Sequence, residues 1–337
     1  MINNRSTLQR WLNRVKKPRR CLFYVCTDYQ KNTAKAAEEH ANLFEASFKC
    51  LPYETLFDLS KFIPATYIFT DFDRLSPFEL TAAARLYRDL EKGGARVLND
   101  PAKALNRDEL LLTLRAAGIN SFTCFRPAAG EKPSVFPVFL RTITGHRGTL
   151  SDLLENEKDC ENALAEAVKQ GYPLRDLIFI EYAAEPVAET GNFQKHAAYF
   201  FDGTVVAANI VNNTSWMAKT GVNNLATKAQ YAEEKKNLDN YPYADWVKRV
   251  FDCAELDYGR VDFGILKGKP QVYEINTNPT LPTGIQHVNQ DRAYTMREIQ
   301  TRIMHALDDL AIEPAKDPLE IPKVYKRKGF SIITKRI

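Results

Sequence analysis

The sequence predicts an α/β protein built from more than one packed unit, and three observations carry that prediction. Two apolar runs, C-L-F-Y-V-C-T at 21–27 and T-Y-I-F-T at 66–70, read as buried strands and enclose a helix-like stretch rich in Ala and Glu at 33–46. Ser76-Pro77-Phe78-Glu79 is a capping box with proline at the first helical position, and the helix it starts runs to Gly93-Gly94, ahead of a short strand at Arg96 to Leu98. At 337 residues the chain exceeds what one hydrophobic core organises, so two or three packed units are expected. The first, over 1–100, is a small parallel sheet flanked by helices.

Beyond residue 100 the elements follow in order. Asn106 caps a helix whose Leu110, Leu111 and Leu114 precede a left-handed stop at Gly118. P-V-F-L-R-T at 137–142 is a strand ending near Arg141, followed by the loop T-I-T-G-H-R-G. Helices at about 151–156 and 159–170 lead past Gly171-Tyr172-Pro173 into the strand L-I-F-I-E-Y at 177–182. K-H-A-A-Y-F-F and T-V-V-A-A-N flank Asp202-Gly203, a hairpin signal. A helix over 244–256 puts Val247, Val250, Phe251 and Ala254 on one face.

Composition narrows the class. With 45% apolar and 26% charged residues the chain is a soluble globular protein rather than a disordered one. A net charge of +4 is too small an excess for a dedicated nucleic-acid binder, while leaving acidic small molecules such as nucleotides as partners. No run of about 18 apolar residues predicts a membrane span, and the N-terminus lacks the apolar core of a secretory signal. The basic residues between Arg5 and Arg20, around Trp11 and Leu12, read as a solvated amphipathic lead-in. Cysteines 21, 26, 50, 124, 160 and 253 show no C-x-x-C spacing, which predicts reduced thiols and a cytoplasmic protein.

The chemistry concentrates in G-R-V-D-F-G-I-L-K-G-K-P-Q-V-Y-E-I-N-T-N-P. Two strands around a three-residue loop, Lys267-Gly268-Lys269, form an antiparallel hairpin that sets Asp262 opposite Glu274 and Arg260 opposite Asn276. Val261, Phe263, Tyr273 and Ile275 then fall on the apolar face. Cross-strand Cβ atoms lie about 4.5–5.5 Å apart, so two carboxylates there repel unless a cation sits between them or one is protonated. Two carboxylates with an amide oxygen suit Mg²⁺, which takes its other positions from water and substrate phosphates. Asp262, Glu274 and Asn276 are therefore candidate metal ligands, and Arg260 a candidate phosphate contact. The alternative is a solvated surface hairpin whose acids are relieved by nearby lysines.

In these motifs the chain resembles the ATP-grasp superfamily, in particular carboxylate-amine ligases related to D-alanine:D-alanine ligase, over roughly residues 100–285. G-R-V-D and E-I-N-T-N-P fall where that family keeps its metal ligands and a phosphate-binding arginine. The resemblance implies an α+β ATP-grasp fold in which a small lobe over 101–182 and a large lobe over 183–337 sandwich the nucleotide, after the N-terminal domain over 1–100. It sets Arg107 and Arg141 where the family normally has phosphate-contacting lysines; arginine keeps the charge but not the geometry. It makes F-I-E-Y-A-A the hinge, with Glu181 accepting from the adenine amino group and the backbone of Tyr182, Ala183 and Ala184 pairing with the ring edge. Glu189 and Lys195 take the places of a ribose-binding carboxylate and a basic phosphate contact.

The same resemblance gives Lys219, in S-W-M-A-K-T-G, a catalytic place beside Arg260, and leaves His146-Arg147 as a loop that touches the γ-phosphate or the acceptor. The basic K-V-Y-K-R-K run in the tail from Lys323 to Arg336 reads as a solvated or docking segment. The implied activity is an ADP-forming ligase that joins a carboxylate to an amine through an acylphosphate. Its cofactors are ATP and two Mg²⁺ ions, with Mn²⁺ as a substitute, and its substrates are amino acids or peptide-like. It has no nucleic-acid or membrane partner, and a homodimer stays open. Two alternatives share the nucleotide site: a kinase that phosphorylates a small-molecule hydroxyl, and a nucleotide-binding homologue without turnover.

Overall fold

The computed structural model of the protein describes residues 20–31, 34, 37–38, 44–144, 148–218, 220–222, 225–282 and 285–322. Near the N-terminus β2 (Ser47–Pro52), β1 (Cys21–Cys26), β4 (Thr66–Phe69) and β5 (Arg96–Leu98) lie side by side as a parallel sheet. All six residues of β1 are buried, as expected of a parallel strand covered on both faces. Phe23 and Val25 point toward α1 (Pro77–Lys92), which starts at the Ser76–Glu79 capping box foreseen from the sequence. Leu22 and Tyr24 point the other way, toward Ile299, Ile303 and Leu307 of α6 (Gln290–Leu310). Most of the helix expected over 33–46 lies outside the described residues.

A second sheet, antiparallel, has the order β6 (Cys124–Phe125), β8 (Leu177–Glu181), β7 (Val138–Thr142). Leu111 of α2 (Arg107–Ala116) packs with Ile178 and Ile180 on one side, and Cys160 and Ala167 of α3 (Glu157–Lys169) pack with Leu177 and Phe179 on the other. The helix expected at 151–156 does not form. Leu154 instead exchanges both backbone hydrogen bonds with Val138, at 2.7 and 3.0 Å, and Asn156 caps the helix that begins at Glu157.

The third sheet runs β10 (Thr204–Ala207), β9 (Phe193–Phe201), β12 (Tyr258–Leu266), β13 (Lys269–Asn276), with β11 (Val211–Asn213) also paired to β9. The Asp202-Gly203 hairpin is present, with φ of 43° and 95° at the two turn residues. Val247, Val250 and Phe251 of α5 (Ala244–Ala254) are fully buried against one face of this sheet, and α4 (Lys228–Lys236) lies against α6.

Long-range hydrogen bonds tie these parts together. Asn99 closes β5 in a left-handed conformation, φ 61°. Its amide donates to the carbonyls of Phe69 and Tyr258 at 3.0 Å each and accepts from the N–H groups of Asp257 and Tyr258 at 2.8 and 2.9 Å. Both donors and both acceptor sites of a buried side chain are thus satisfied, and the first sheet is fixed to the start of β12. The C-terminal segment returns along the first sheet: Cys21 N donates to Ile312 O at 2.8 Å, Thr66 Oγ1 to Leu310 O at 2.7 Å, and β14 (Leu319–Glu320) pairs with β3 (Lys61–Phe62). No helix among the described residues is long and apolar enough to cross a membrane.

Within the third sheet His196 is buried and stacks on Phe263 with ring centroids 5.3 Å apart. Burial pushes its imidazole down from an ordinary 6.5 to about 4. Between these values the unfolded chain binds a proton that the folded one refuses, so stability falls as pH drops through that window. We expect the wild type to lose about 2 kcal/mol between pH 7 and pH 4.5 through this group, and His196→Phe to flatten that part of the slope in urea unfolding curves.

Candidate active site

The β12–β13 hairpin builds the site, by a route the sequence misjudged. The loop has two residues rather than three: Lys267 and Gly268 have φ of 50° and 73°, both positive as a tight hairpin turn of mirror-image type requires. Pairing begins at Leu266 with Lys269 and continues to Phe263 with Val272, where a bulge at Tyr273 shifts the register. From there Asp262 faces Glu274 and Arg260 faces Asn276, as expected. The bulge has a second effect. Tyr273, expected on the apolar face, turns to the side of Glu274, and Val272 takes its place against Phe263 and Val261 in the core. The Tyr273 hydroxyl donates to Ala183 O at 3.1 Å and lies where Gly264 lacks a side chain: a Cβ there would stand 2.0 Å from the phenol oxygen.

Cationic side chains stand against both of the facing acids. Asp262 is 1% exposed. It accepts from Arg260 Nε at 2.7 Å and Nη2 at 3.1 Å, and from Lys195 Nζ at 3.0 Å. Glu274 Oε2 accepts from Arg107 Nη2 at 3.2 Å and Arg141 Nη2 at 3.3 Å. Arg107, the first residue of α2, also donates from Nη1 to the carbonyls of Thr142 and Ile143 at 2.8 and 2.7 Å, so it is pinned between β7 and the hairpin. Burial would lower the Arg260 guanidinium, and the Asp262 carboxylate outweighs it and holds the pKa above its usual value. For Arg141, burial and then the charge of Arg107 prevail over Glu274 and bring it down to about 10.

Among the described residues four cationic side chains thus meet two carboxylates, an excess of two positive charges in the ion pairs of this place. Arg141 Nε is buried without a hydrogen-bond partner among the described residues. Both facts call for an anion. Asp262, Glu274 and Asn276 line one cavity and present an oxygen set suited to Mg²⁺. The surplus of positive charge fits a metal carried by a polyphosphate far better than a bare divalent ion.

Two cavities meet at Arg260, Glu274 and Asn276. The larger, about 320 Å³, has an apolar sleeve that includes Phe139, Ile180, Trp216 and Tyr273. The smaller, about 240 Å³, lies toward the first sheet and is bounded by Arg74 and by Asn276 to Thr280. Arg107, Arg141, Lys195, Arg260, Asp262, Glu274 and Asn276 are all brought to these walls, as are Glu181 to Ala184.

The hinge groups are partly committed to the fold. Glu181 Oε2 accepts from Thr123 N at 2.9 Å, and the Tyr182 N–H donates to Pro137 O at 3.0 Å, so that N–H does not face a ring edge. Glu189 is not brought in: hydrogen bonds between Val187 and both Gly191 and Asn192 fold its turn outward, leaving it exposed and off the cavity walls. Lys219, His146-Arg147 and the tail from Lys323 lie outside the described residues. Asp28 pairs with Lys31 on the surface, and Tyr29 is 64% exposed with Arg74 over its ring. Sequence reasoning missed Trp216, which packs on Phe139 and Tyr182 with centroids 5.0 and 5.5 Å away; its neighbour Lys219 drew attention instead.

No family model and no curated protein matches the chain. Several solved structures do. The chain is similar to ATP-grasp ligases. One is D-alanine–D-alanine ligase from Bacillus anthracis complexed with ATP, 14% identical over 86% of this chain and 98% of that one, TM-score 0.46. Another is L-amino acid ligase from Bacillus licheniformis, 14% identical over 90% and 76%, TM-score 0.47. A third is the ATP-grasp ligase PsnB complexed with a phosphomimetic variant of its minimal precursor, Mg and ADP, 12% identical over 85% and 97%, TM-score 0.49. At such distances it is the chain's own side chains that define its site.

Gly264 and Tyr273 give a direct test of the bulged hairpin. Gly264→Ala is expected to destabilise by about 2 kcal/mol through overpacking against the phenol. In a Tyr273→Leu background the same change should cost clearly less, a non-additivity read from urea unfolding of the two single variants and the double.

Proposed function

We propose that the chain is an ATP-dependent carboxylate–amine ligase of the ATP-grasp kind, forming an amide or peptide bond between amino-acid or peptide-like substrates through an acylphosphate. The observation that carries this reading is the convergence of Arg107, Arg141, Lys195 and Arg260 on the Asp262–Glu274 pair, where the two cavities meet. The order of the motifs along the sequence supports it independently. In the proposed assignment the nucleobase occupies the sleeve between Trp216 and Tyr273, beside Tyr182 to Ala184, and the carboxylate substrate enters the smaller cavity.

Asp262, Glu274 and Asn276 would hold magnesium, which when bound neutralises charge on the terminal phosphates. Arg141 and Arg107 orient the phosphate chain from the side of β7 and α2. Lys195 and Arg260 bear on the transferred group from the floor of the third sheet, Arg260 with its fork fixed by Asp262. Phosphoryl transfer relies on positioning and electrostatics, so no nucleophilic side chain is required. Cys21, Cys26, Cys50, Cys124, Cys160 and Cys253 are free thiols, which fits residence in a reducing cytoplasm.

The test is ADP release with ATP, Mg²⁺ and a panel of amino acids and dipeptides, with hydroxylamine present to trap an activated carboxylate as its hydroxamate. We expect substrate-dependent ADP release that stops with chelator, and a fall of about a hundredfold or more in kcat for Glu274→Gln, whose circular dichroism remains native. A stable phosphoester without hydroxamate would favour a kinase. Undiminished turnover in Glu274→Gln would end the assignment.

A further inference from the structure

Asp71 stands at the carboxyl end of β4, where it is 0% exposed and adopts a left-handed backbone conformation, φ 64°. Both features are unfavourable for an aspartate: the conformation crowds its Cβ, and an enclosed carboxylate must be fully partnered. Its partners are specific. One oxygen accepts from Thr27 N at 3.0 Å and Thr27 Oγ1 at 2.6 Å, and the other from Arg74 Nη1 at 2.7 Å. Its backbone N–H donates to Thr277 Oγ1 at 3.1 Å.

Arg74 and Thr277 belong to different parts of the chain, yet both line the smaller cavity. Arg74 follows the first sheet, and Thr277 directly follows Asn276 at the end of the hairpin. A second contact, Tyr24 Oη to Asn278 Oδ1 at 2.9 Å, holds the same loop to β1. We propose that Asp71 is a positioning residue for the carboxylate substrate: the buried side chain fixes Arg74 while the left-handed backbone aims an N–H at Thr277, so one residue sets the spacing between two walls of the smaller cavity. This rests on the ligase assignment above, and on that cavity receiving the carboxylate. Neither Arg74 nor Thr277 is in the wall of the nucleotide sleeve.

A positioning role and a merely structural one differ in kinetics. Asp71→Asn keeps an acceptor and tolerates the left-handed conformation but removes the charge. We expect it to raise the KM for the most active carboxylate of the panel about tenfold, with the KM for Mg·ATP within about twofold of wild type. Thr277→Val, which deletes only the acceptor for the Asp71 N–H, should shift the same KM in the same direction by a smaller factor, and Thr277→Ser should restore it. If Asp71→Asn does not fold, the Thr277 pair decides alone. Equal shifts in both KM values, a loss of kcat only, or no difference between Thr277→Val and Thr277→Ser would overturn the inference while the ligase assignment stands. An inactive wild type would overturn both.

Discussion

Two carboxylates side by side on one hairpin are the constraint to which the rest of the site answers. Across adjacent strands Asp262 and Glu274 would repel, and their enclosure makes the repulsion worse. The chain supplies two cations to each: Arg260 and Lys195 from within the third sheet, Arg107 and Arg141 from α2 and β7. The second pair matters for architecture as well as charge. Because Glu274 is the meeting point of arginines from another sheet and another helix, the acid at the end of the hairpin holds the edges of two units at a fixed separation. The surplus of positive charge follows from this arrangement.

Rigidity at the other boundary comes from two left-handed polar residues at the ends of neighbouring parallel strands. Asn99 and Asp71 each terminate a strand of the first sheet and each reach the hairpin, Asn99 at the start of β12 and Asp71 beyond the end of β13. Ligand sites in open α/β sheets form at the carboxyl ends of strands, because there the backbone turns away and leaves a crevice. Here the smaller cavity lies at such an end, lined by Phe72 and Arg74 just after Asp71 and by Arg260.

Much of this was legible in the sequence, and the failures have physical causes. The pairing of Asp262 with Glu274 was read correctly although the loop was assigned one residue too many; the bulge at Tyr273 added that residue back. A pattern of alternating residues cannot announce a bulge, so Tyr273 was given to the wrong face. Arg107, Arg141 and Lys195 came from motif order and do converge. Glu189 was carried over by its place in the chain, but its turn hydrogen bonds point it outward. Trp216 could not be told from a core aromatic, since periodicity does not distinguish a cavity wall from packed interior. The helix expected at 151–156 lost to an edge pairing with β7, a long-range choice that no local propensity encodes. The helix α6 was not anticipated, its buried set including the polar Thr295 and Asp308.

That last helix bears on how the chain acquires its structure. Leu22 and Tyr24 find partners in Ile299, Ile303 and Leu307, far along the sequence from β1. Loop-closure entropy must be met before such distant contacts repay it, so docking of α6 belongs late in folding. Until α6 docks, the side of the first sheet that carries Leu22 and Tyr24 lacks the cover of Ile299, Ile303 and Leu307, and transiently exposed apolar surface of this kind is prone to aggregate.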